Sequence, residues 1–268
     1  MSALTQEQVQ KFADDLYNAR RDGTSIAPIS ESVPGLGVAE GYAIQRALVD
    51  RLLADGERIV GFKLGLTSAP MQTLLGVNEP DFGPLFASAI YPDGAQVDIG
   101  AFIAPRVEAE IAVVLDRGLS GPGCTPADAY QATKGLLAAI EIVDSRITDW
   151  KINIGDTIAD LASSGALALA SRVVPITQVD PRLVGMIFTR NGELVATGAG
   201  AAALGDPMAA VAWLANTLAP MGVRLEAGSV IMTGALHAMV PVAPGDTFRA
   251  EFDHLGPITL QMVEGKHS

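Results

Sequence analysis

The stretch RVEAEIAVVL, residues 106–115, sets two glutamates one residue apart and then becomes apolar. Successive side chains of a β-strand point to opposite faces, so the alternation from Val107 to Ile111 predicts a half-buried strand. Glu108 and Glu110 then share one face, and the apolar residues between and beside them share the other. We expect the fold to be built around a strand that carries two like charges side by side as it enters the core.

These two carboxylates can meet over a common point, because Cα atoms two residues apart on one strand face are roughly 6.5–7 Å apart. In a half-buried setting, each carboxylate raises the pKa of the other and lowers stability. One interpretation is a polar strand side that faces solvent, where the charges tolerate each other. Two observations favour a different one. The same face continues with the apolar Ala112 and Val114, and a further isolated acid, Glu141, lies in KGLLAAIEIVDSR.

A divalent cation would reconcile three converging carboxylates, those of Glu108, Glu110 and Glu141. Hard oxygen ligands without a nearby histidine favour Mg²⁺ or Mn²⁺ over zinc. Three protein oxygens leave about three of six octahedral positions open, which is enough for a bidentate substrate and a water. The sequence therefore offers a metal site as the alternative to a solvent-facing pair.

Lys63 is a candidate acid–base residue, whereas Asp81 taken alone has a structural interpretation. Lys63 lies in the stretch IVGFKLGLTSAP between Gly61 and Gly65, where backbone can come close to a ligand. A partly desolvated lysine has a lowered pKa suited to proton transfer, although a strand lysine can also reach solvent along its stem. Asp81, in NEPDFGPLF, has the pattern of a turn aspartate that bonds its own backbone.

Composition limits the class of protein. The chain has 268 residues, of which 49% are hydrophobic, enough for a large core. Its apolar runs are far shorter than the roughly 20 residues of a membrane span, and no secretory signal pattern precedes them, so we expect a cytoplasmic protein without membrane contact. A formal charge of −12 repels nucleic acids and disfavours anionic substrates unless a local cation intervenes. The single cysteine, Cys124, fits a reducing compartment.

Helical patterns come first along the chain and strand patterns follow. The capping box at residues 5–8 predicts a first helix, and the apolar spacing of Val38–Ala54 predicts a second that stops near Gly56. Short β-rich runs bounded by Gly, Pro, Asn and Asp predict strands at 59–65, 107–115, 183–190, 193–197, 229–233, 247–252 and 258–263.

Two turn signals complete the predicted organisation. Asn191-Gly192 predicts a β-hairpin, so pairing is at least partly antiparallel, and Asp206-Pro207 predicts the start of another helix. We therefore predict a single α+β domain over residues 1–268, in which a helical segment, 1–57, packs on a β-rich catalytic body, 58–268. The three histidines, His237, His254 and His267, are isolated, and a lone loop or strand histidine is usually structural.

Five stretches follow one another in an order that is very specific. They are GFKLGLTS, LGVNEPDFGPLF, PRVEAEIAVVL, AIEIVDSRITDWKINIGDTIAD and VIMTGALHAMVPVAPGDTF. Over residues 27–262 they resemble the 2-keto-4-pentenoate hydratase and 4-oxalocrotonate decarboxylase group of the fumarylacetoacetate hydrolase superfamily. The resemblance implies the mixed β-roll or sandwich of that superfamily's C-terminal domain, with flanking N-terminal helices, usually assembled into homo-oligomers.

The resemblance also implies an activity and the residues that perform it. The chain would be a lyase, a metal-dependent hydratase that adds water to a 2-hydroxy-2,4-dienoate and gives a 4-hydroxy-2-keto acid in the meta-cleavage catabolism of aromatic compounds. Glu108, Glu110 and Glu141 match the metal-binding acids of the family, with Mg²⁺ or Mn²⁺ as the metal. Lys63 and Asp81 match its proton-transfer positions. The carboxylate and C2 oxygen of such a substrate form a chelate for the open metal positions.

Other functions stay open. Decarboxylation of 4-oxalocrotonate uses the same metal site, although TGALHAMV is closer to the hydratases. C–C hydrolysis of acylpyruvates fits less well, because those relatives use an N-terminal histidine and none precedes His237 here. A non-catalytic assembly partner is a further alternative, although a scaffold gains nothing from convergent buried charges. The resemblance also implies association with a pathway decarboxylase or aldolase.

The chain departs from the family in one stretch, which has the sequence ADNAS in many relatives. This chain reads Ala159-Asp160-Leu161-Ala162-Ser163. The loss of the amide puts in doubt any substrate contact made by the side chain at position 161.

Overall fold

Two β-sheets and several helices make up residues 4–68, 72–73 and 76–265, which the computed structural model describes. The helices are α1 Gln6–Asp22, α2 Ile29–Ser32, α3 Val38–Ala54, α4 Pro126–Ala132, α5 Ile154–Ala159 and α6 Pro207–Leu218. The strands are β1 Ile59–Gly65, β2 Asp81–Phe86, β3 Ile90–Pro92, β4 Ala95–Asp98, β5 Arg106–Leu115, β6 Thr133–Val143, β7 Ser164–Leu169, β8 Val174–Pro175, β9 Gly185–Arg190, β10 Glu193–Ala199, β11 Val230–Ala235, β12 Val240–Pro241, β13 Thr247–Phe252 and β14 Gly256–Val263.

The strand of the opening stretch, β5, lies inside the larger sheet. That sheet has the order β2-β1-β11-β5-β6-β7-β3, with β12 also pairing with β5 and β8 with β6. The smaller sheet has the order β10-β9-β13-β14-β4. One apolar cluster contains Val107, Ala109 and Ile111 of β5 together with Phe188 and Phe248 of the smaller sheet. The apolar face of β5 is therefore buried between the two sheets, as the alternation predicts.

The N-terminal helices have their own apolar core. Leu16 of α1 and Leu48 of α3 lie in one cluster with Phe86, Ile147 and Leu161 of the sheet-forming part of the chain. The first helix begins at the predicted capping box, in which the Thr5 hydroxyl accepts from the Gln8 backbone N–H. Both predicted N-terminal helices are thus confirmed, and they pack on the β-rich body as expected. The division into residues 1–57 and 58–268 within a single domain stays a prediction.

The turn signals were also correct. The Asn191-Gly192 dipeptide joins β9 and β10 as an antiparallel hairpin, with both residues at positive φ. The Asp206 side chain accepts from the Met208 backbone N–H at the start of α6. Among the described residues, the helices are all too short or too polar to cross a bilayer.

Several strands escaped the sequence analysis, and β6 is the most important of them. It is buried on both faces and rich in small apolar residues, so the period-two alternation that revealed β5 is absent. The first predicted residues of 183–190 were also wrong, because Pro181–Leu183 forms a 3₁₀ turn and β9 begins at Gly185.

Candidate metal and acid–base site

The three glutamates meet because β5 and β6 are antiparallel neighbours. Glu108 lies directly opposite Glu141, and Glu110 follows two residues further along the same face of β5. Directly opposed residues of an antiparallel pair have Cβ atoms about 4.5–5.5 Å apart. Each of the three side chains offers a carboxylate oxygen, and these oxygens lie within 4.8 Å of one another. The structure thus brings together the acids that the sequence singled out.

Several carboxylate oxygens of this cluster have no hydrogen-bond partner among the described residues. Glu141 and Glu110 are buried and Glu108 is partly exposed. Glu110 Oε2 accepts from the Gly234 backbone N–H at 2.9 Å. Glu110 Oε1 and both oxygens of Glu141 have no hydrogen-bond partner among the described residues. Buried polar atoms are nearly always satisfied, so these oxygens are free to act as ligands. Hard oxygen donors in a buried cluster fit a divalent cation. The solvent-facing interpretation is therefore wrong.

The electrostatics of the cluster also favour a positive ligand. Burial raises the pKa of Glu108 to about 8, and the charge of Glu141 adds to the effect. Burial also raises the pKa of Glu110, with further contributions from Glu141 and Glu108. Ionisation of all three carboxylates is therefore unfavourable unless enough positive charge lies beside them. A divalent cation would supply that charge.

Lys63 faces the same cluster from β1. It pairs with Met232 of β11, which in turn pairs with Ala112 of β5, so its side chain shares the face of the glutamates. Its Nζ lies 3.4 Å from Glu141 Oε1 and donates to the Ala162 carbonyl oxygen at 2.9 Å. The side chain is buried, so the alternative of a lysine that reaches solvent is wrong.

The charge state of Lys63 follows from its neighbours. Burial lowers the pKa of Lys63, but the carboxylates of Glu141 and Asp81 outweigh burial and leave the pKa raised above the usual value for lysine. The expected lowering of this pKa by desolvation is therefore wrong, because the negative cluster dominates. The neighbouring carboxylates therefore favour the protonated form of Lys63.

Asp81 is the first residue of β2 and lies opposite Gly65 of β1. It is buried, and its Oδ1 has no hydrogen-bond partner among the described residues. A Cβ placed on Gly65 would lie 2.2 Å from Asp81 Oδ1 and 3.6 Å from Lys63 Nζ. Asp81 Oδ1 and Lys63 Nζ thus border the same small space, which only a glycine leaves open. The turn interpretation of Asp81 is wrong, because the residue sits in a strand.

A left-handed turn presents the carbonyl that holds Lys63. Leu161, Ala162 and Ser163 have φ of 57°, 52° and 56°. The Leu161 side chain is buried in the apolar cluster of the N-terminal helices. Asparagine adopts positive φ more easily than leucine, so the common family residue suits the backbone conformation here.

Sequence reasoning missed the residue that braces this turn. Arg146 is buried and donates from Nη2 to the Asp160 carbonyl and from Nη1 to the Ser164 carbonyl, at 2.7 and 3.0 Å. Its side chain and backbone N–H also bond the Asp160 carboxylate. The available signal was a lone arginine in the apolar stretch AIEIVDSRI.

Comparison with known proteins places this chain in a family. Residues 64–263 match the model described as fumarylacetoacetate (FAA) hydrolase C-terminal. The chain belongs to the fumarylacetoacetate hydrolase family. The family resemblance noted from the sequence and the predicted α+β fold of this type are both confirmed.

Members of the family are similar over nearly the whole chain. A 2-keto-4-pentenoate hydratase of Burkholderia vietnamiensis is 44% identical, over 96% of this chain and 98% of its own length. A 2-hydroxyhexa-2,4-dienoate hydratase of Comamonas testosteroni is 41% identical, over 93% and 95%. The solved structure of 4-oxalocrotonate decarboxylase from Pseudomonas putida G7, complexed with magnesium and adipate, covers 98% of this chain and 100% of its own, with 38% identity and a TM-score of 0.95.

Proposed function

We propose that this chain is a metal-dependent hydratase, a hydro-lyase that adds water to a 2-hydroxy-2,4-dienoate and gives a 4-hydroxy-2-keto acid. The observation that carries the proposal is the convergence of three glutamates, one lysine and one aspartate on one side of the large sheet. The hydratase names of relatives 41–44% identical support the reaction class. The decarboxylase structure with bound magnesium supports the choice of a divalent cation.

Glu108, Glu110 and Glu141 would hold Mg²⁺ or Mn²⁺ through their clustered carboxylate oxygens, of which Glu110 Oε1 and both oxygens of Glu141 have no hydrogen-bond partner among the described residues. A hard divalent cation at this point supplies attraction for an anionic 2-oxo acid and stabilises negative charge that develops on its C2 oxygen. This local positive charge also answers the objection that a chain with a net charge of −12 repels an anionic substrate.

Lys63 and Asp81 would move the protons. An ammonium group has three N–H donors. Lys63 donates one of them to the Ala162 carbonyl oxygen, and its 3.4 Å contact with Glu141 is an ion pair, so the ammonium group keeps N–H donors for a substrate. Ketonisation takes the proton from the 2-hydroxyl group and adds one at C5, which leaves a C3–C4 double bond conjugated with the C2 ketone. Water then adds its oxygen to C4 and a proton to C3. The protonated Lys63 suits the donor step, and the buried Asp81 suits removal of a proton.

Loss of the dienol absorbance of 2-hydroxypenta-2,4-dienoate tests the proposal directly. We expect decay when Mg²⁺ or Mn²⁺ is added to the protein, and none in the presence of a chelator. Glu108→Gln should abolish the decay, whereas the matched control Glu193→Gln, at an exposed hairpin position, should not. Full turnover by Glu108→Gln would contradict the assignment of the site.

Decarboxylation of 4-oxalocrotonate is the second candidate, because the structural match to that decarboxylase has a TM-score of 0.95. Measuring CO₂ and 4-hydroxy-2-keto acid from each substrate decides between the two activities. We expect hydroxyketo acid from the dienoate to exceed CO₂ from 4-oxalocrotonate, and the reverse ratio would favour the decarboxylase. The homo-oligomeric state, the association with a pathway partner and the cytoplasmic location remain predictions.

A further inference from the structure

The strand ladder beside the glutamates is interrupted. On the side of β5 away from β6, β11 pairs as far as Ala235 opposite Glu110, and β12 resumes with Val240 opposite Val107. The register shifts in β11 between Met232 and Ala235, and it has shifted again when β12 begins. Ala109 lies opposite the interrupted part.

Only one of the two backbone groups of Ala109 has a backbone partner on that side. Its carbonyl accepts from the Leu236 N–H at 3.1 Å. Its N–H donates instead to His237 Nε2, at 2.9 Å. The imidazole thus takes the place of the strand carbonyl that the interruption removes.

His237 is itself held from two sides. Its Nδ1 lies 2.7 Å from the Ala238 carbonyl oxygen, which can only accept, so Nδ1 carries the proton and Nε2 is the acceptor. The imidazole stacks on Phe188 of the smaller sheet, with ring centroids 4.7 Å apart. The acceptor is therefore fixed in position by both sheets.

The N–H that His237 holds belongs to the peptide bond between Glu108 and Ala109. Fixing the plane of this peptide fixes the direction in which the Glu108 side chain leaves the backbone, and Glu110 follows one residue later. The Gly234 N–H, near the end of β11 and three residues before His237, donates directly to the Glu110 carboxylate. Groups that orient ligands from behind change metal affinity when they are removed.

We propose that His237 is a positioning residue for the glutamates of β5, and that its Nε2 sets their affinity for a divalent cation. The inference rests on the proposed function, because it requires Glu108 and Glu110 to bind the cation. It goes beyond a general structural role, because it assigns the effect to one acceptor atom.

Two substitutions separate the acceptor from the ring. His237→Phe keeps a flat ring against Phe188 and removes the acceptor. His237→Gln removes the ring, but its Oε1 lies three bonds beyond Cβ, as Nε2 does, and can accept from the Ala109 N–H. His254→Asn is the matched control, because His254 is exposed and lies in the turn between β13 and β14.

Mn²⁺ titration of the full-length protein, followed by the electron paramagnetic resonance of free Mn²⁺, measures the affinity without turnover. We expect His237→Phe to raise the Kd for Mn²⁺ by about tenfold, and His237→Gln to return it to within about threefold of the unsubstituted value. His254→Asn should have no effect. Thermal unfolding of each variant shows whether the fold is intact, and His237→Leu replaces His237→Phe if the latter does not fold.

The outcomes separate the inference from the function on which it rests. If the unsubstituted protein binds no Mn²⁺, the metal site itself is wrong. If it binds Mn²⁺ and His237→Phe binds equally well, the metal site stands and the role of His237 is refuted. Equal weakening in His237→Phe and His237→Gln would refute the assignment to the acceptor atom.

Discussion

Glu110→Gln should make the metal-free protein more stable and the metal-dependent stabilisation disappear. The side chain is 1% exposed, and its carboxylate oxygens belong to the cluster that lies within 4.8 Å. Two unit charges at that separation repel by about 3.5 kcal/mol at an effective dielectric constant of about 20. Protonation relieves part of this repulsion, because burial and the neighbouring Glu141 and Glu108 raise the pKa of Glu110.

The remaining gain is about 1–2 kcal/mol, which corresponds to a rise of about 2–4 °C in the thermal midpoint for a chain of this size. Glutamine keeps an acceptor for the Gly234 N–H, so that hydrogen bond should survive. In the unsubstituted protein, a cation at 100 times its Kd adds about 2.7 kcal/mol, or about 5 °C. In Glu110→Gln, the same concentration should add less than about 1 °C.

Differential scanning calorimetry with and without Mg²⁺ or Mn²⁺ measures both effects, with Glu193→Gln as the control for loss of an exposed carboxylate. A metal-free Glu110→Gln that melts below the unsubstituted protein and still gains about 5 °C from the cation would refute the reasoning. That result would mean that Glu110 is stabilised by its surroundings and does not bind the ion.

Three other substitutions or conditions test the rest of the site. Lys63→Met should reduce kcat at least about 100-fold. The same substitution removes a positive charge 3.4 Å from Glu141, so Mn²⁺ should bind more tightly. Equal or weaker Mn²⁺ binding in a titration would contradict the charge argument. Gly65→Ala should reduce kcat by about tenfold or more, because the new Cβ would lie 2.2 Å from Asp81 Oδ1; unchanged steady-state kinetics would place the reaction elsewhere. Burial lowers the pKa of His237, so the folded protein resists a proton that the unfolded chain accepts near pH 6.5. Stability should therefore fall as the pH drops below about 6.5, and thermal midpoints at pH 7.5 and pH 5 should differ less in His237→Phe than in the unsubstituted protein.

How much of the site could be predicted depends on how local each signal is. The alternation around Glu108 and Glu110 is contained in five residues, and it predicted both the strand and the shared face correctly. The opposite position of Glu141 depends on the register of β5 against β6, which is a property of the folded sheet and not of either segment. From the residues themselves, the isolation of that acid in an apolar run pointed to it, and the family resemblance added to that signal.

The parts that were missed are those in which tertiary contacts override local pattern. The strand β6 has no alternation because both of its faces are buried. The pKa of Lys63 has the opposite direction to that expected from burial alone, because its acidic neighbours come from other strands. The role of Arg146 depends on a turn at residues 160–164 that no local residue preference predicts.

The left-handed turn at Leu161–Ser163 bears on attempts to make this protein more heat-resistant. Each non-glycine residue in this conformation costs about 1–2 kcal/mol, so a glycine at Ala162 would be the obvious stabilising change. The natural sequence instead retains stiff residues braced by a buried arginine. The Ala162 carbonyl oxygen accepts a hydrogen bond from Lys63 Nζ. A more flexible backbone at this position would hold Nζ less firmly. If Lys63 acts as proposed, thermal stability and the position of its ammonium group therefore make opposite demands on residue 162.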